Sequence, residues 1–588
     1  MKLLIKTLLS SAVALAFTLP AGAAEQPWVL KSNLNAKLLL EEKARLAPEQ
    51  ASSLGVDGYD EKISDLSRDL FEDEKRGTQA VVAELKKRLK TEPDAKIRQD
   101  LEILIASAED GLRSSALERK YFLPFIDATG SIYGVVHDML DPRIPPQRQK
   151  ALLVRLDKYA GLSKGYRPYT ELARERLHER LKANPKLLGP FKGEVEQVLN
   201  DGPTLIAGIK SLLEKSQLKG WEKSFAALEQ QLSAYHAVLK AEVLPRARAD
   251  SRLPAEVYAD RLRQVGTDVD PEQLISKALV SFAEIRNQMN ITGGLIAKEQ
   301  GLASADYHAV LRELKSKQIA KEAVMPLYAD RLGQIEEVIR SQHIVTLPER
   351  KAVIRLASEA ENARQPAPHM SPPRLVGNTG EYGEFVLTTG MPPDASGKAL
   401  RFDDFTHQAG SWTLTAHEGR PGHELQFAKM IEAGVSTARA VFAFNSVNVE
   451  GWALYAEAEM QPYEPLDGQF FALQHRMLRA ARAFLDPMVN LGRISAADVK
   501  SFLMDEVGLS EGMATQEVQR YTFRAPGQAT SYFYGYQRLM ETRQAAQVAL
   551  RGKFDRQSFN DFVLAQGLVP PKLLYKAVME EFVPARLK

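Results

Sequence analysis

The sequence contains no cysteine, and histidine is scarce, with 10 residues in a chain of 588. Without a thiol, the chain can form no disulfide and has neither a lipid-modified N-terminal cysteine nor a cysteine nucleophile. A chain without free thiols is compatible with an oxidising compartment. These absences disfavour thiol chemistry and direct attention to the few histidines.

An excess of one charge sign is also missing, because 77 basic residues face 75 acidic ones and no basic stripe stands out. Proteins that bind nucleic acid or an anionic membrane surface carry such an excess. We therefore predict neither kind of partner. With 44% hydrophobic and 26% charged residues, the chain is long enough for a large core in two or more lobes.

The N-terminus has the composition of a secretory signal peptide. Lys2 and Lys6 precede an apolar run at residues 7–19, and small residues follow it. We predict a signal peptide over residues 1–24, cleaved after Ala23 or Ala24. The run is too short to be a permanent membrane anchor, so a periplasmic or secreted protein without stable membrane insertion is expected.

Residues 32–361 carry apolar residues three and four apart with charged residues between them, which predicts helices almost throughout. The predicted helices cover residues 34–45, 78–89, 97–106, 148–159, 172–181, 221–241, 274–288 and 321–339. Stops containing proline are predicted at residues 141–146, 184–185 and 201–203. The isolated histidines of this half are interpreted as ordinary helix residues: His137, His178, His236 and His308.

A proline-rich stretch at residues 365–375 cannot be helical. We therefore predict an N-terminal helical region over residues 25–365 and a catalytic helical region over residues 366–588. Residues 381–389 are β-prone and bounded by glycines, which predicts a strand. Residues 402–405 are either its partner or a link into the next helix. The predicted fold is mainly α, bilobed and multi-helical, with a small β-sheet.

Two histidines lie close together in the order His417-Glu418-Gly-Arg-Pro421-Gly422-His423. The zinc-protease motif H-E-x-x-H places its imidazoles four residues apart on one helical face. A six-residue offset on a continuous helix makes the imidazoles diverge. Pro421 and Gly422 predict a bend that returns His423 to the side of His417. The alternative interpretation is two polar residues beside a kinked helix.

Residues 438–460 predict one long, mostly apolar helix that contains Glu450 and Glu457. A carboxylate within an apolar stripe is costly unless a positive group meets it. A cation held by His417 and His423 is one such group, and a core arginine is the alternative. Two imidazoles and one carboxylate leave a fourth position for water, as in catalytic zinc sites.

A further helix is predicted from Pro526 in its first turn to about residue 550. One face of this helix carries Gln528, Tyr532, Gly535, Leu539 and Arg543. Among its tyrosines we favour Tyr532 as the functional one, with Tyr534 and Tyr536 as competitors. The alternative for each tyrosine is core packing with a bonded hydroxyl.

Three blocks of sequence together resemble the signature of a bacterial family catalogued as domain of unknown function 885. The blocks are His-Glu-Gly-Arg-Pro-Gly-His-Glu-Leu-Gln, Val-Glu-Gly-Trp-Ala-Leu-Tyr-Ala-Glu and Pro-Gly-Gln-Ala-Thr-Ser-Tyr-Phe-Tyr-Gly, which end at residues 426, 457 and 535. The family is regarded as a distant relative of the mostly helical gluzincin zinc peptidases, such as the angiotensin-converting-enzyme and thimet-oligopeptidase groups. The resemblance implies a gluzincin-like fold with a sheet edge beside the active-site helices.

The resemblance implies His417, His423 and Glu450 as metal ligands and Glu418 as the general base. Imidazole and carboxylate donors together with the resemblance favour Zn²⁺, with manganese and iron as alternatives. The tyrosine that is similar to Tyr532 in gluzincins donates a hydrogen bond to the developing oxyanion.

Two further groups of residues are predicted around this centre. Glu457 and Gln426 are candidates for orienting the histidines. Gluzincins pair an extended peptide with an edge strand, so we assign the strand at residues 381–389 to substrate binding through Tyr382, Glu384 and Phe385. A purely structural hairpin is the alternative. Arg543, about 16 Å along the helix from Tyr532, is assigned to a substrate carboxylate, or else to an ion pair without a chemical role.

The predicted function is a zinc-dependent peptide hydrolase of the periplasm that uses Glu418 as general base on metal-bound water. Its predicted partner is a peptide substrate. One alternative is a metal-dependent amidase acting on cell-wall peptides or N-acyl groups. Another is a catalytically silent, metal-stabilised helical binding protein. The choice between endo- and exopeptidase action and the oligomeric state are left open.

Overall fold

The structure of the protein is a computed structural model that describes residues 26–378, 380–388, 390, 397–398 and 400–588. The predicted signal peptide therefore lies outside the described residues. The protein is 70% helical and its described part includes a three-stranded sheet. This composition confirms the prediction of a mainly α, multi-helix fold. None of the helices in the described ranges combines the length and apolar character needed to cross a bilayer.

The α-helices before the sheet cover most of the N-terminal half. They are α1 (Pro27–Leu46), α2 (Pro48–Leu54), α3 (Phe71–Thr91), α4 (Ala95–Tyr121), α5 (Ala128–Met139), α6 (Pro146–Gln149), α7 (Ala151–Tyr159), α8 (Tyr169–Ala183), α9 (Lys192–Lys215), α10 (Glu222–Val238), α11 (Ala255–Val265), α12 (Pro271–Gln300), α13 (Tyr307–Ser316) and α14 (Lys321–Ser341). Each predicted helix of this half falls on one of these elements or on two consecutive ones.

The sheet and the helices that follow it make up the rest of the chain. The strands are β1 (Val353–Leu356), β2 (His369–Ser371) and β3 (Glu384–Leu387), and α15 (Glu359–Arg364) lies between the first two. The later helices are α16 (Gly410–Glu418), α17 (His423–Ala433), α18 (Ser446–Met460), α19 (Leu466–Asn490), α20 (Ala496–Asp505), α21 (Glu511–Gln519), α22 (Ser531–Leu550), α23 (Arg556–Ala565), α24 (Pro571–Ala577) and α25 (Val583–Leu587). Short π-helical turns include Ala438–Phe442 and Arg520–Arg524.

The predicted strand exists as β3, but it is the central strand and not an edge. The strand order is β1-β3-β2, with β1 parallel and β2 antiparallel to β3. Residues 402–405 form no strand and lead toward α16 instead. The edge strand β2 lies inside the proline-rich stretch, where its three residues were too few to predict.

Three predicted boundaries are wrong. The stop at residues 201–203 lies inside α9, where Gly202 packs beneath the ring of His236 so closely that a Cβ would lie 2.1 Å from its Cε1. Residues 438–460 are not one helix, because Asn445 interrupts them and its side chain caps α18 by accepting from the Asn448 N–H at 2.9 Å. Pro526 precedes α22, since Gly527 adopts a left-handed φ of 89° and donates to the carboxylate of Asp486.

The core crosses the predicted division at residue 365. Helix α12 packs along α19, and Phe282 meets Phe484 edge to face with ring centroids 5.7 Å apart. The buried residues of this cluster come from both sides of residue 365. The division into two regions stays a prediction, while the packing makes α12 part of the support for the C-terminal helices.

A glycine pair sets the distance between α18 and α22. A Cβ on Gly451 would lie 2.6 Å from the backbone of Gly535, and a Cβ on Gly535 would lie 2.1 Å from the carbonyl oxygen of Val447. Only glycine permits this approach of two helix backbones. The crossing holds the start of α22 against the first turns of α18.

Candidate metal centre and cleft

The two histidines of the motif lie on two consecutive helices. His417 is in the last turn of α16, and His423 is the first residue of α17. The ring centroids of the two imidazoles are 4.8 Å apart at an interplanar angle of 83°. The break between the helices therefore brings the two side chains together, which an uninterrupted helix does not allow.

The break is built by the four residues between the helices. The Arg420–Pro421 peptide bond is cis, and the carbonyl of Pro421 accepts a hydrogen bond from the Trp452 indole at 2.9 Å. A Cβ on Gly422 would lie 2.0 Å from the carbonyl oxygen of His417. The chain can pass this close to the end of α16 only with glycine at that position. Arg420 is buried and paired with Glu424 at 2.6 Å, which fixes the loop to α17.

Glu450 joins the two histidines from α18. Its Oε2 atom lies 3.5 Å from His417 Nε2 and 3.3 Å from His423 Nε2. The ligand atoms of the three residues all lie within 4.8 Å of one another. Gln528, just before α22, donates to Glu450 Oε1 at 3.3 Å and holds the carboxylate from its other side.

This donor set fits a divalent cation. Two imidazole nitrogens and one carboxylate oxygen converge from three helices, and this combination suits zinc and related metals. Glu450 Oε2 is buried and accepts no hydrogen bond within the described part of the chain. A buried carboxylate oxygen without a hydrogen bond is costly, and coordination is one way to satisfy it. The roles of these residues as ligands stay a prediction.

Glu457 contacts the first histidine from behind, as predicted for an orienting residue. It accepts from His417 Nδ1 at 2.6 Å, from the Thr413 hydroxyl at 2.7 Å and from Arg479 at 3.1 Å. These bonds fix the imidazole so that Nε2 faces Glu450. Burial opposes ionisation of this carboxyl, but Arg479 and His417 lower the pKa of Glu457 to about 2.

The same carboxylates act on His417. Burial disfavours its imidazolium form, yet Glu450 and Glu457 outweigh burial and raise the pKa of His417 to about 9. Burial opposes the charge of Glu450 as well, and the two histidines hold the pKa of its carboxyl well below the usual range. A cation that binds these ligands must therefore displace a proton from His417.

Glu418 lies beside the convergent ligands without joining them. Its Oε1 atom is 3.9 Å from His417 Nε2, and its Oε2 atom accepts a hydrogen bond from the backbone N–H of Met370 at 2.9 Å. Met370 belongs to β2, whose other side pairs with β3. The free side of this edge strand thus runs past Glu418.

Tyr532 lies beside His417. Its ring stacks on the imidazole with centroids 6.2 Å apart at an angle of 18°. Its hydroxyl accepts a hydrogen bond from Arg520 at 3.2 Å. Tyr534 donates instead to Asp268, and Tyr536 lies beneath Arg476. Of these three tyrosines, Tyr532 alone lines the cleft that contains His417, His423 and Glu450.

A cavity of about 460 Å³ opens in front of these residues. Its walls include Glu418, Tyr532 and the proline-rich segment that contains β2. Several guanidinium groups also line it: Arg364, Arg479, Arg482, Arg520 and Arg524. The cavity is large enough for part of a peptide, and its described lining contains five arginines and three acidic residues.

The four predicted substrate-binding residues lie outside this cavity. Phe385 is 1% exposed and packs on Tyr328, Glu384 pairs with Arg355 at 2.7 Å, and Tyr382 lies beneath Arg350. These three positions belong to the central strand or precede it, so the assignment of this strand to peptide pairing is wrong.

Arg543 and Gln426 also have other partners than predicted. Arg543 donates to the Tyr455 hydroxyl at 2.9 Å and pairs with Glu459, in agreement with the alternative of a structural ion pair. Gln426 donates to Asn448 at 3.0 Å. His423 Nδ1 has no hydrogen-bond partner within the described ranges, so the predicted orienting bond from Gln426 is not formed.

The four isolated histidines of the N-terminal half have side-chain partners. His137, His178 and His236 contact Glu361, Glu242 and Thr129 at 2.9, 2.7 and 2.8 Å. His308 lies 3.4 Å from Asp306. Their interpretation as ordinary helix residues is consistent with these contacts.

Sequence reasoning missed the arginines of the cleft. Arg479 and Arg482 are buried on α19, within a stretch of otherwise apolar side chains. The argument that identified Glu450, a charged residue on an apolar face, applies equally to them. It missed Met370 as well, since the contact there is made by a backbone group.

Comparisons with known proteins identify a family and structures of similar fold. The profile of a family described as "Bacterial protein of unknown function (DUF885)" matches residues 48–578. No match is found among curated proteins. A crystal structure of a "putative lipoprotein" from Colwellia psychrerythraea has a TM-score of 0.72 and 20% identity, covering 94% of this chain and 99% of that one. A second such protein of unknown function, from Shewanella oneidensis, has a TM-score of 0.69 and 18% identity, covering 94% of this chain and 100% of that one.

At these identities the two solved structures establish a shared fold and nothing about activity. The family match is of another kind, because it extends over most of the sequence and includes the motifs on α16, α18 and α22. The chain therefore belongs to the bacterial family of unknown function DUF885.

Proposed function

We propose that this protein is a metal-dependent peptide hydrolase. The observation that carries the proposal is the position of Glu418, a carboxylate that lies beside three convergent metal donors in an open cleft. A metal-stabilised binding protein has no need of a further acid at this point. The finer proposal is a zinc enzyme related to the gluzincins, supported by the donor chemistry and by the resemblance of the motifs.

A divalent cation held by His417, His423 and Glu450 supplies a Lewis acid that activates water and polarises a carbonyl group. Glu457 fixes the imidazole of His417, and Gln528 fixes the carboxylate of Glu450. Both contacts keep the ligands in place before any substrate arrives.

Glu418 is proposed as the general base. Its carboxylate accepts a proton from the attacking water and then delivers it to the amine that leaves. The Tyr532 hydroxyl accepts from Arg520 and so retains its own proton for donation to the oxyanion that develops on the substrate carbonyl. The neighbouring guanidinium groups favour negative charge at this place.

Strand β2 is proposed as the substrate-binding strand in place of β3. It is an edge strand, and the Met370 N–H points toward Glu418 and not toward β3. When an extended peptide pairs with this edge, one of its carbonyl oxygens accepts the hydrogen bond of the Met370 N–H. This bond replaces the one from Met370 to the Glu418 carboxylate. The exchange frees the base when a substrate is present.

An extracytoplasmic location is proposed as well. The N-terminal residues have the pattern of a signal peptide, and the two structural relatives are described as lipoproteins. This chain contains no cysteine for lipid attachment.

The test is a peptide-pool digest by the purified mature protein, read by mass spectrometry, with metal content measured by elemental analysis. Glu418→Gln is expected to keep the metal and to lower kcat by about 10²–10⁴-fold, because it removes only the base. Glu541→Gln, an exposed glutamate paired with Arg538, is the matched control and is expected to change neither quantity.

Three results contradict the proposal. Full turnover by Glu418→Gln rules out this residue as the base. Stoichiometric metal in the wild-type protein without hydrolysis of any peptide supports the binding-protein alternative. Hydrolysis confined to purified muropeptides or N-acyl substrates supports the amidase alternative.

A further inference from the structure

We propose that the cleft recognises the C-terminal carboxylate of its substrate through Arg520 and Arg524, so that the enzyme is a carboxy-terminal exopeptidase. This inference rests on the proposed hydrolase function and specifies the substrate end that the site accepts. It is derived from the placement and the charge of the arginines beyond Tyr532.

Arg520 is connected to the candidate metal centre through a single side chain, that of Tyr532. It donates to the Tyr532 hydroxyl at 3.2 Å, and the Tyr532 ring stacks on His417. Arg520 and Arg524 are the two ends of the π-helical turn that follows α21, and both line the cleft. A carboxylate bound there lies beyond the scissile bond on the side of Tyr532.

The carboxylates near this turn do not balance its guanidinium groups. Glu517 accepts two hydrogen bonds from Arg482, at 2.8 and 2.7 Å, and one from the Tyr521 hydroxyl at 2.8 Å. Arg520 reaches the same carboxylate only at 3.7 Å, beyond hydrogen-bond distance. One acid thus serves two arginines, and one positive charge is left over in a largely buried position.

Arg524 adds a second guanidinium group without a close carboxylate. It donates to the side-chain oxygen of Gln519 at 3.1 Å and to the carbonyl of Arg364 at 3.0 Å, both neutral acceptors. Among the described residues, the acid whose charge acts most on Arg524 is Asp201, which does not form an ion pair with it. Two guanidinium groups without matched acids favour an anionic ligand, and a carboxylate can accept charge-assisted hydrogen bonds from both.

The hydrogen bond from Arg524 to Arg364 also closes this end of the cleft. Arg364 ends α15, and the segment after it leads to β2, which also lines the cleft. The contact therefore bridges the two walls beyond Tyr532. A bridged end leaves room for a chain terminus and obstructs a polypeptide that would continue through it.

Recognition of the opposite terminus has no comparable support. A substrate ammonium group requires an acid that is free to pair with it. Among the residues that the structure describes, the acids that line the cleft are Asp404, Glu418 and Glu450. Asp404 is bound to Lys315 at 2.8 Å, and the other two belong to the reaction centre. The charge of the cleft thus favours the carboxyl end of a peptide.

The experiment compares three versions of one cleaved peptide with the metal-loaded enzyme: free at both ends, C-terminally amidated, and N-terminally acetylated. Amidation is expected to lower kcat/KM by about 10–100-fold, the value of a lost charge-assisted hydrogen bond. Acetylation is expected to leave it unchanged. Mass spectrometry is expected to locate the cut at a constant distance from the carboxyl end of peptides of different length.

Arg524→Gln and Arg520→Gln are expected to bring the ratio of acid to amide kcat/KM close to one. This ratio is decisive because loss of the Arg520 contact to Tyr532 lowers kcat/KM equally for both peptides and cancels in the ratio. Only loss of carboxylate recognition changes the ratio. Arg493→Gln, a surface arginine paired with Glu272, is the control and should keep the ratio. Because the comparison of peptides needs only the wild-type enzyme, it holds even if a variant fails to fold.

The outcomes distinguish carboxylate recognition from the hydrolase function on which it depends. Equal cleavage of the acid and the amide overturns carboxylate recognition and leaves the hydrolase proposal standing. A requirement for an internal Asp or Glu, regardless of amidation, also overturns it and indicates a side-chain subsite. Cleavage of none of the three by the metal-loaded protein overturns both proposals.

Discussion

At the scale of single residues, the centre is an arrangement of buried charges that depend on one another. Glu457 is ionised because Arg479 and His417 surround it, and His417 is oriented because Glu457 accepts from it. A buried carboxylate without such partners is strongly destabilising. The chain therefore has a physical reason to place arginine directly behind its candidate ligands.

Tyr532→Phe is expected to lower kcat by about 10²–10³-fold with little change in KM or metal content. The substitution removes one hydrogen-bond donor aimed at the oxyanion and keeps the ring that packs on His417. The measurement is steady-state kinetics on a peptide identified in the pool digest, with elemental analysis of the same preparation.

Tyr534→Phe is the matched control, because it removes a neighbouring hydroxyl that donates to Asp268 outside the cleft. It is expected to leave kcat unaltered. Equal losses in the two variants, or full activity of Tyr532→Phe, contradict the assignment of the oxyanion donor to Tyr532.

The sequence was sufficient to predict that His417, His423 and Glu450 lie together, because the residues around them break a local pattern. Glu450 interrupts an apolar stripe, and Pro421 and Gly422 interrupt a helix. Gln426 donates to Asn448 and not to a histidine, because spacing alone does not tell which of two nearby helices a long polar side chain faces. Arg520 gives a weak signal, since a charged residue at a helix end is usually solvated.

At the scale of elements, the crossing of α18 and α22 determines where Glu450 and Tyr532 lie relative to each other. Glu450 is adjacent to Gly451, and Tyr532 is three residues before Gly535. The two glycines bring the backbones into contact. A ligand and a proposed oxyanion donor thus depend on one close helix packing.

Gly535→Ala is expected to destabilise the protein by about 1–3 kcal/mol, since its Cβ would lie 2.1 Å from the Val447 carbonyl oxygen and the helices must separate. The separation should also weaken metal binding by moving Glu450. Urea denaturation and a zinc titration measure the two effects.

Gly333→Ala on α14 is the control for the helical substitution itself, because nothing lies within 4 Å of the position its Cβ would take. It is expected to stabilise the protein by about 0.5–1 kcal/mol through reduced backbone freedom. If Gly535→Ala is equally harmless, the close crossing does not position the centre.

The helices could be predicted because their amphipathic period repeats over many residues. The strands β1 and β2 have four and three residues, which is too short for alternation to stand out. The position of β3 between them depends on pairing across 30 residues of chain, which local pattern does not contain. The stop at residues 201–203 failed because packing against His236 overrides the local signal.

At the scale of the whole molecule, the proposed ligands come from three helices and meet only when the fold is complete. α16 lies against α14, α18 and α19, and α19 in turn packs on α12 from the N-terminal half. An unfolded chain presents no such arrangement of His417, His423 and Glu450. A cation that binds the centre therefore stabilises the native state over the unfolded one.

Addition of Zn²⁺ to the metal-free protein is accordingly expected to raise its Tm. At a free concentration 100 times the Kd, the stabilisation is about 2.7 kcal/mol, which for a chain of this length corresponds to an increase of about 2 °C in Tm.

Glu418→Gln should show the same shift in Tm, because it keeps all three ligands. His423→Ala should lose most of it, whereas His178→Ala, an exposed histidine paired with Glu242, should keep it. A shift that survives in His423→Ala places the bound ion elsewhere in the molecule, since no cation can then be held between α16, α17 and α18 as inferred.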